Sequence, residues 1–84
     1  MSPLVIRRTI LAELAAYGSG LTPGGLLELV KLKLPATTLG DIADELSWLR
    51  DHQLAAYTAN PLDADDRTLR QWTITTTGEL VLKK

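Results

Sequence analysis

Acidic and aromatic side chains concentrate in residues 38–52, which the sequence predicts to be a helix. At about 100° per residue, one side of this helix lacks Lys and Arg and carries Gly40, Asp41, Asp44, Trp48, Asp51 and His52. The opposite side carries Leu39, Ile42, Ala43, Leu46, Leu49 and Gln53. Tryptophan is enriched where proteins bind one another, so the first side is a candidate contact surface for a protein or a second copy of the chain. Its candidate residues are Asp41, Asp44, Trp48, Asp51 and His52.

Helix stability offers another explanation for the charged members of this side. Negative charge in the first turns of a helix is favoured by the helix dipole, which applies to Asp41, Asp44 and Glu45. His52 lies at the other end, where a cation is favoured. A capping role is therefore expected for His52, rather than a ligand or acid–base role.

The helix dipole and capping explain the charged residues of this side, but they do not explain the presence of Trp48. It is expected near the centre of the polar side, exposed at least in part and available for a contact. The alternative is packing within the chain, with Tyr57 or Trp72 folded over the indole.

Enzymatic and metal chemistry have little support in the sequence. His52 is the only histidine and there is no cysteine, so no set of nucleophile, base and acid can be assembled. Asp63, Asp65 and Asp66 lack the central Gly and distant Glu of a calcium loop and are expected to form a turn. We therefore expect a protein that is not an enzyme and that has neither a cofactor nor a metal.

The composition indicates one small domain spanning residues 1–84. Nine basic residues stand against ten acidic ones, whereas a dedicated DNA-binding domain of this size is usually basic. The absence of cysteine, of a transmembrane-length apolar run and of a signal-peptide core favours a cytoplasmic protein with no membrane association.

Capping residues and apolar spacing predict three helices in the first part of the chain. Ser2-Pro3 and Thr22-Pro23 each combine a capping hydroxyl with a proline of the first turn, and Thr38 can cap the third helix with Asp41 three residues later. The apolar stripes of the first two helices are Ile6, Ile10, Leu11 and Leu14, then Leu26, Leu27, Val30 and Leu34.

The pattern changes to strands after the third helix. Residues 54–58 and 68–75 are expected to be extended and to flank a polar turn at residues 60–66, with Trp72 and Ile74 on one face. A short helix follows from Thr75, with Leu80 and Leu82 as its apolar residues. The predicted class is α+β, with three helices, a β-hairpin and a short C-terminal helix.

Three motifs in this order resemble those of the multiple-antibiotic-resistance regulator family. Leu46-x-x-Leu49 with Leu54-Ala55-Ala56-Tyr57 resembles its helix-into-wing junction, and Asn60-Pro61-x-Asp63-x-Asp65-Asp66-Arg67 is similar to its wing. Ile74-Thr75-x-x-Gly78-x-x-x-Leu82 is similar to its strand-to-helix exit. The resemblance covers nearly the whole chain and implies a winged helix-turn-helix, here without the long helices through which family members dimerise.

The resemblance also implies positions for DNA contacts. In such folds the third helix enters the major groove and an Arg of the wing reaches the minor groove. The groove-facing residues would be Thr37, Thr38, Gly40, Asp41, Asp44 and Glu45, with Arg67 in the wing. Thr37 and Thr38 are candidates for phosphate contacts, whereas the acids predict little base readout because they repel the DNA backbone.

Two functions follow, both for a regulatory or DNA-handling system of bacterial or phage-like type. In the leading one, the wing and basic edges associate with DNA, and the candidate contacts are Arg7, Arg8, Thr37, Thr38, Arg67 and Arg70. Such binding is salt-sensitive and largely independent of sequence. In the alternative, the face around Asp41, Asp44 and Trp48 binds a protein or forms a homodimer.

Overall fold

Residues 3–84 fold into four α-helices and a two-stranded antiparallel sheet, an α+β arrangement that is compatible with the expected winged helix. The computed structural model describes residues 3–84 except for the side chain of Asp63. The predicted cap Ser2 and the Asp63 carboxylate therefore lie outside the described residues. The elements are α1 (Pro3–Ala16), α2 (Pro23–Lys31), α3 (Leu39–Asp51), β1 (Ala55–Thr58), β2 (Gln71–Ile74) and α4 (Thr76–Lys83). Two 3₁₀ helices, Pro61–Asp63 and Arg67–Leu69, lie between β1 and β2.

Threonine hydroxyls begin α2 and α3, as the sequence predicts. Thr22 Oγ1 accepts the Gly25 N–H at 3.2 Å at the start of α2. At the start of α3, Thr38 Oγ1 accepts the Asp41 N–H at 3.1 Å while the Asp41 carboxylate accepts the Thr38 N–H at 3.0 Å. This reciprocal pair is a capping box, which satisfies two backbone donors that the helix itself leaves free.

The end of α3 fixes the direction in which the chain enters β1. Gln53 adopts a positive φ of 60°, and its N–H donates to the Arg50 carbonyl at 2.9 Å. The Leu54 N–H reaches back to the Leu49 carbonyl at 2.8 Å, and both of these leucines are buried. This hydrogen-bond pattern is a Schellman motif with its usual apolar contact, which turns the chain sharply at residue 53.

The two strands pair directly, and a third segment joins them. Ala55 lies opposite Ile74 and Tyr57 opposite Trp72. On the other edge of β2, Leu21 exchanges both backbone hydrogen bonds with Trp72, at 2.9 and 2.8 Å. The segment before α2 is thereby tied to the centre of β2, so the hairpin is held against the helices.

The buried apolar residues of the described chain form one cluster between the helices and the sheet. Every residue predicted for the first stripe is buried, and Leu26 and Val30 of the second stripe are buried with them. The cluster consists of Ile6, Ile10, Leu11, Leu14, Leu26, Val30, Ile42, Leu46, Leu49, Leu54, Ala55 and Trp72. Within residues 3–84, no helix has the length and apolar character needed to cross a membrane.

The predicted apolar side of α3 is wrong in part. Ile42, Leu46 and Leu49 are buried, but Leu39 and Ala43 are exposed and Glu45 is buried in their place. Gln53 is also exposed, because its positive φ takes it off the helical path. The buried side is therefore rotated towards Glu45, and the opposite edge of the helix, including Arg50, faces outward.

Candidate nucleic-acid interface

The acids of α3 do not form one functional group of carboxylates. Asp41 belongs to the capping box, which is the stabilising role that the helix dipole and capping chemistry predict. Glu45 was expected to face outward beside DNA, and this expectation is wrong because the residue is only 8% exposed. Asp44 and Asp51 are exposed. Of the predicted acidic face, these two carboxylates are the ones left fully on the surface.

Glu45 is buried because Arg7 of α1 neutralises it. Arg7 Nε donates to Glu45 Oε2 at 2.6 Å, and a longer hydrogen bond of 3.5 Å joins Nη2 to Oε1. A carboxylate can leave water only when a cation and hydrogen bonds replace its hydration. Arg7, a predicted DNA contact, is thus held within the fold by Glu45.

Trp48 is half-buried and packs against the core rather than lying at the centre of an exposed face. The Arg7 guanidinium lies 3.6 Å from its ring centre, and the His52 imidazole is stacked on it at 3.7 Å. Tyr57 and Trp72, the residues expected to cover it if it were packed internally, instead contact each other. The partial exposure is confirmed, but the covering groups come from α1 and from the end of α3 itself.

His52 ends α3 in the capping role predicted for it. It is the C-cap residue, and its Nδ1 lies 2.9 Å from the Trp48 carbonyl oxygen. The same carbonyl oxygen accepts the His52 backbone N–H at 3.1 Å, so a proton on Nδ1 would give it a second hydrogen bond. Within the described residues, no group of three His, Asp or Glu side chains is arranged to hold a metal ion.

The two threonines before α3 differ in their surroundings. Thr37 was expected to face outward, but it is only 4% exposed and its hydroxyl donates to the Leu34 carbonyl at 2.8 Å. This hydrogen bond keeps the hydroxyl at the turn between α2 and α3. Thr38 is exposed, although its hydroxyl oxygen serves the capping box.

The predicted basic contacts separate into two places. Arg7 and Arg8 line an apolar groove between α1 and α4, together with Leu4 and Leu82. Arg67 and Arg70 line a different cleft, between α3 and the β1–β2 hairpin. The basic edge of α1 and the basic residues before β2 therefore do not form a single patch.

We call the second place the arginine cleft. Its volume is about 310 Å³, and its lining comprises Pro23, Ala43, Leu46, Ser47, Arg50, Tyr57, Arg67, Arg70 and Trp72. Three guanidinium groups and no carboxylate are among these residues. The cleft therefore combines strong local positive charge with the buried side chains of Leu46 and Trp72, in a chain whose net charge is −1.

Two of the three cleft arginines lie against the ring of Tyr57. The Arg70 guanidinium carbon lies 4.3 Å from the Tyr57 ring centre and that of Arg50 lies 5.2 Å from it. Trp72, opposite Tyr57 in the sheet, contacts the same ring at 4.9 Å between centroids. Cation–π attraction and packing thus orient two guanidiniums before any ligand arrives.

The local sequence explains how Arg67 and Arg70 reach the cleft. Asp66 begins the 3₁₀ helix Arg67–Leu69 by accepting the Thr68 N–H at 2.9 Å. The 3₁₀ helix places Arg67 and Arg70 one turn apart, where residues three apart lie above each other. Arg70 then leads directly into β2, so its position is fixed by the sheet.

The charges of the cleft differ from the paired charges elsewhere in the protein. Arg7 is paired with Glu45, and Lys33 lies 3.2 Å from Glu13. None of the cleft arginines forms an ion pair with a side chain that the structure describes. Like charges brought together without counter-charges repel one another, so this cleft favours the binding of an anion.

Two side-chain nitrogens at the cleft are buried and have no hydrogen-bond partner among the described residues. They are Arg70 Nε and Trp72 Nε1, and both residues line the arginine cleft. Trp72 is only 5% exposed. Buried donors are nearly always paired in folded proteins, so these two mark a place where an acceptor is expected.

Comparisons with known proteins give no family for this chain. No protein-family model, no curated protein and no solved structure matches it. The chemistry of the site is therefore argued from its own residues.

Sequence reasoning missed Arg50, and with it the cleft. The sequence analysis divided α3 into a side with Asp44 and Trp48 and an opposite apolar side, and it assigned Arg50 to neither. The spacing could have indicated its position, because Arg50 lies four residues after Leu46 and seven after Ala43 and therefore on the same edge of the helix. The separate prediction that Arg67 and Arg70 are functional did not indicate α3 as their neighbour.

Proposed function

We propose that this chain is a non-enzymatic winged helix-turn-helix module that associates with DNA through the arginine cleft. The observation that carries the proposal is the convergence of three guanidiniums, unpaired with any described carboxylate, between α3 and the β1–β2 hairpin. In a winged helix these two elements are the ones that approach the duplex. The order of helices and strands supports the winged-helix assignment.

Contacts to the DNA backbone account for the chemistry of the cleft better than base readout does. Guanidiniums bind phosphate oxygens through paired N–H groups. Asp44 and Asp51 are exposed on α3, and their negative charges repel the phosphate backbone of DNA. Arg50 is the exposed cation of this helix. Binding that is weak, sensitive to salt and largely independent of sequence is the expected behaviour.

The salt dependence can be stated in advance. Each phosphate neutralised by a cation contributes about −0.9 to the slope of log K against log salt. Three cleft arginines therefore predict a slope of about −2.7 and a loss of affinity of about 40-fold between roughly 50 and 200 mM salt.

The test is a fluorescence-anisotropy titration of a mixed-sequence duplex at about 50 and 200 mM salt. Arg50→Ala, Arg67→Ala and Arg70→Ala should each weaken binding and make the salt slope shallower by about 1. Arg8→Ala removes the same charge from the groove between α1 and α4, and it should change the slope much less. Absence of binding at the lower salt concentration would overturn the proposal.

The alternative of a protein contact through Asp41, Asp44, Trp48, Asp51 and His52 stays a prediction. Three of these residues have roles within the fold: Asp41 in the capping box, His52 at the C-cap and Trp48 against the core. Asp44 and Asp51 are exposed and are therefore accessible to such a partner.

A further inference from the structure

The two unpartnered nitrogens of the arginine cleft specify the kind of ligand it takes. A buried donor without an acceptor is unfavourable, because it has lost its hydrogen bond to water and gained none in return. Arg70 Nε and Trp72 Nε1 are both such donors within residues 3–84, and both residues line one cleft. Both nitrogens are closed to solvent, so a ligand pairs with them only when the side chains that cover them move aside.

The hydrogen-bonding groups that line the arginine cleft restrict the kind of ligand that can bind there. Guanidinium and indole nitrogens donate and never accept. The Ser47 hydroxyl, which also lines the cleft, can donate as well as accept. A matching ligand must therefore bring several acceptors, few donors and negative charge, which are the properties of an oxyanion, and phosphate is the oxyanion that the proposed function supplies.

We propose that the arginine cleft is a seat for one phosphate group, bound by Arg70 and Trp72 with Arg50 and Arg67 supplying further charge. This inference rests on the proposed function, and it assigns one of the contacted backbone phosphates to a position partly below the surface. The Arg70 guanidinium carbon lies 4.3 Å from the Tyr57 ring centre, which keeps its charge at the cleft. Exposed Arg67 lies at the rim, where it attracts the anion.

The phosphate can come from two sources, a nucleic-acid phosphodiester or free inorganic phosphate. Both present oxygens to the same donors, so the donors do not distinguish them. The experiment therefore follows one donor, the Trp72 indole N–H, with each source in turn.

The chain has two tryptophans and therefore two indole resonances in a ¹H–¹⁵N spectrum. Trp48→Phe assigns them by elimination and leaves the core residue Trp72 in place. Trp48 lies outside the cleft lining and acts as the internal control. The protein is titrated with sodium phosphate at constant ionic strength, and separately with a short mixed-sequence duplex whose binding is also followed by anisotropy.

The expected result is a saturable downfield shift of the Trp72 N–H with the duplex, while the Trp48 N–H stays in place. Arg70→Lys keeps the charge but removes the Nε–H and the planar fork, and it should weaken the interaction by about 10-fold or more. Arg8→Lys is the matched control outside the cleft and should leave the affinity unchanged.

The remaining outcomes separate the two proposals. A Trp72 shift with inorganic phosphate, without duplex binding, supports the phosphate seat and overturns the DNA function. Duplex binding by anisotropy with no Trp72 shift from either source overturns the seat and leaves the DNA function standing. Neither binding nor shift overturns both.

Discussion

Arg7 of α1 and Glu45 of α3, separated by 38 positions in the sequence, form the closest ion pair that the structure describes, at 2.6 Å. Their side chains are only 21% and 10% exposed, so both charges are largely removed from water. The same guanidinium lies over Trp48. One residue of α1 thereby contacts both the buried acid and the half-buried aromatic ring of α3.

Loss of Arg7 should destabilise the fold more than loss of an ordinary surface cation. Arg7→Met keeps the aliphatic stem but leaves Glu45 buried without a counter-charge, and we expect a loss of about 2 kcal/mol in unfolding free energy. Arg7→Met combined with Glu45→Gln should recover part of this loss, because the uncompensated charge is gone. Urea denaturation followed by circular dichroism measures both.

The control for this variant is Lys33, whose ion pair with Glu13 has a 63% exposed ammonium side chain. Lys33→Ala should cost at most about 0.5 kcal/mol, because solvent screens an exposed pair. Equal losses for Arg7→Met and Lys33→Ala would contradict the assigned role of the buried pair.

Trp48→Ala decides between a contact surface and an internal role for the indole. Because Trp48 packs against the core and is covered by Arg7 and His52, we expect the free energy of unfolding to fall by about 2 kcal/mol. Molar mass by light scattering should be the same for both proteins. Leu62→Ala, at a leucine 92% exposed, is the control and should leave stability unchanged. A variant of wild-type stability that loses an oligomer would favour the protein-contact alternative instead.

The helix starts were predictable from the sequence because the chemistry that fixes them is local. Thr22 and Thr38 each bond to a backbone N–H three residues later. The apolar stripes of α1 and α2 were predictable for a similar reason, since their repeat requires only the helical period. Local hydrogen bonds and periodicity need no knowledge of the partner element.

The orientation of α3 and the arginine cleft were not predictable in the same way. Glu45 is buried only because Arg7 arrives from another helix, so a pattern of hydrophobic residues counts it as a surface acid. Arg50 becomes part of a site only when the hairpin brings Tyr57, Arg67 and Arg70 beside it. Both features depend on contacts between elements that are distant in sequence, which no single segment encodes.

The connection between the strands contains a carboxylate whose pKa is shifted. The Thr68 hydroxyl donates to Asp66 at 2.5 Å and the Thr68 N–H donates at 2.9 Å, and these two hydrogen bonds hold the pKa of Asp66 below its ordinary 3.8. A lowered pKa in the folded chain means that this contribution to stability is complete above the unfolded-state pKa. It is lost as the pH falls through the lowered value.

Thr68→Val should move the pKa of Asp66 back towards 3.8, because the hydroxyl donor is the larger cause and the backbone donor remains. A ¹³C NMR titration of the Asp66 carboxyl carbon over roughly pH 2 to 6 measures it. Thr77→Val, an exposed threonine of α4, is the control and should leave that pKa in place. An unchanged pKa in Thr68→Val would show that the hydroxyl is not the cause.

Gly78 is the position where the strand-to-helix exit tolerates no side chain. Thr75 caps α4 by accepting the Gly78 N–H at 3.0 Å, and its own hydroxyl donates to the Gln53 carbonyl at 2.7 Å. A Cβ at residue 78 would overlap the Leu54 carbonyl oxygen and lie 2.7 Å from Ile74 Cγ1. The backbone of α4 therefore lies directly on the junction between α3 and β1.

Gly78→Ala should lower the free energy of unfolding by about 2–3 kcal/mol, because the overlapping atom belongs to the backbone and cannot rotate away. Gly24→Ala in α2 is the matched control, since a Cβ there meets no atom within 4 Å. It should raise stability by about 0.5–1 kcal/mol through the smaller conformational freedom of the unfolded chain. In chemical denaturation, the free energy of unfolding should therefore fall for Gly78→Ala and rise for Gly24→Ala. An unchanged free energy of unfolding for Gly78→Ala would mean that the backbone of α4 does not pack against Leu54.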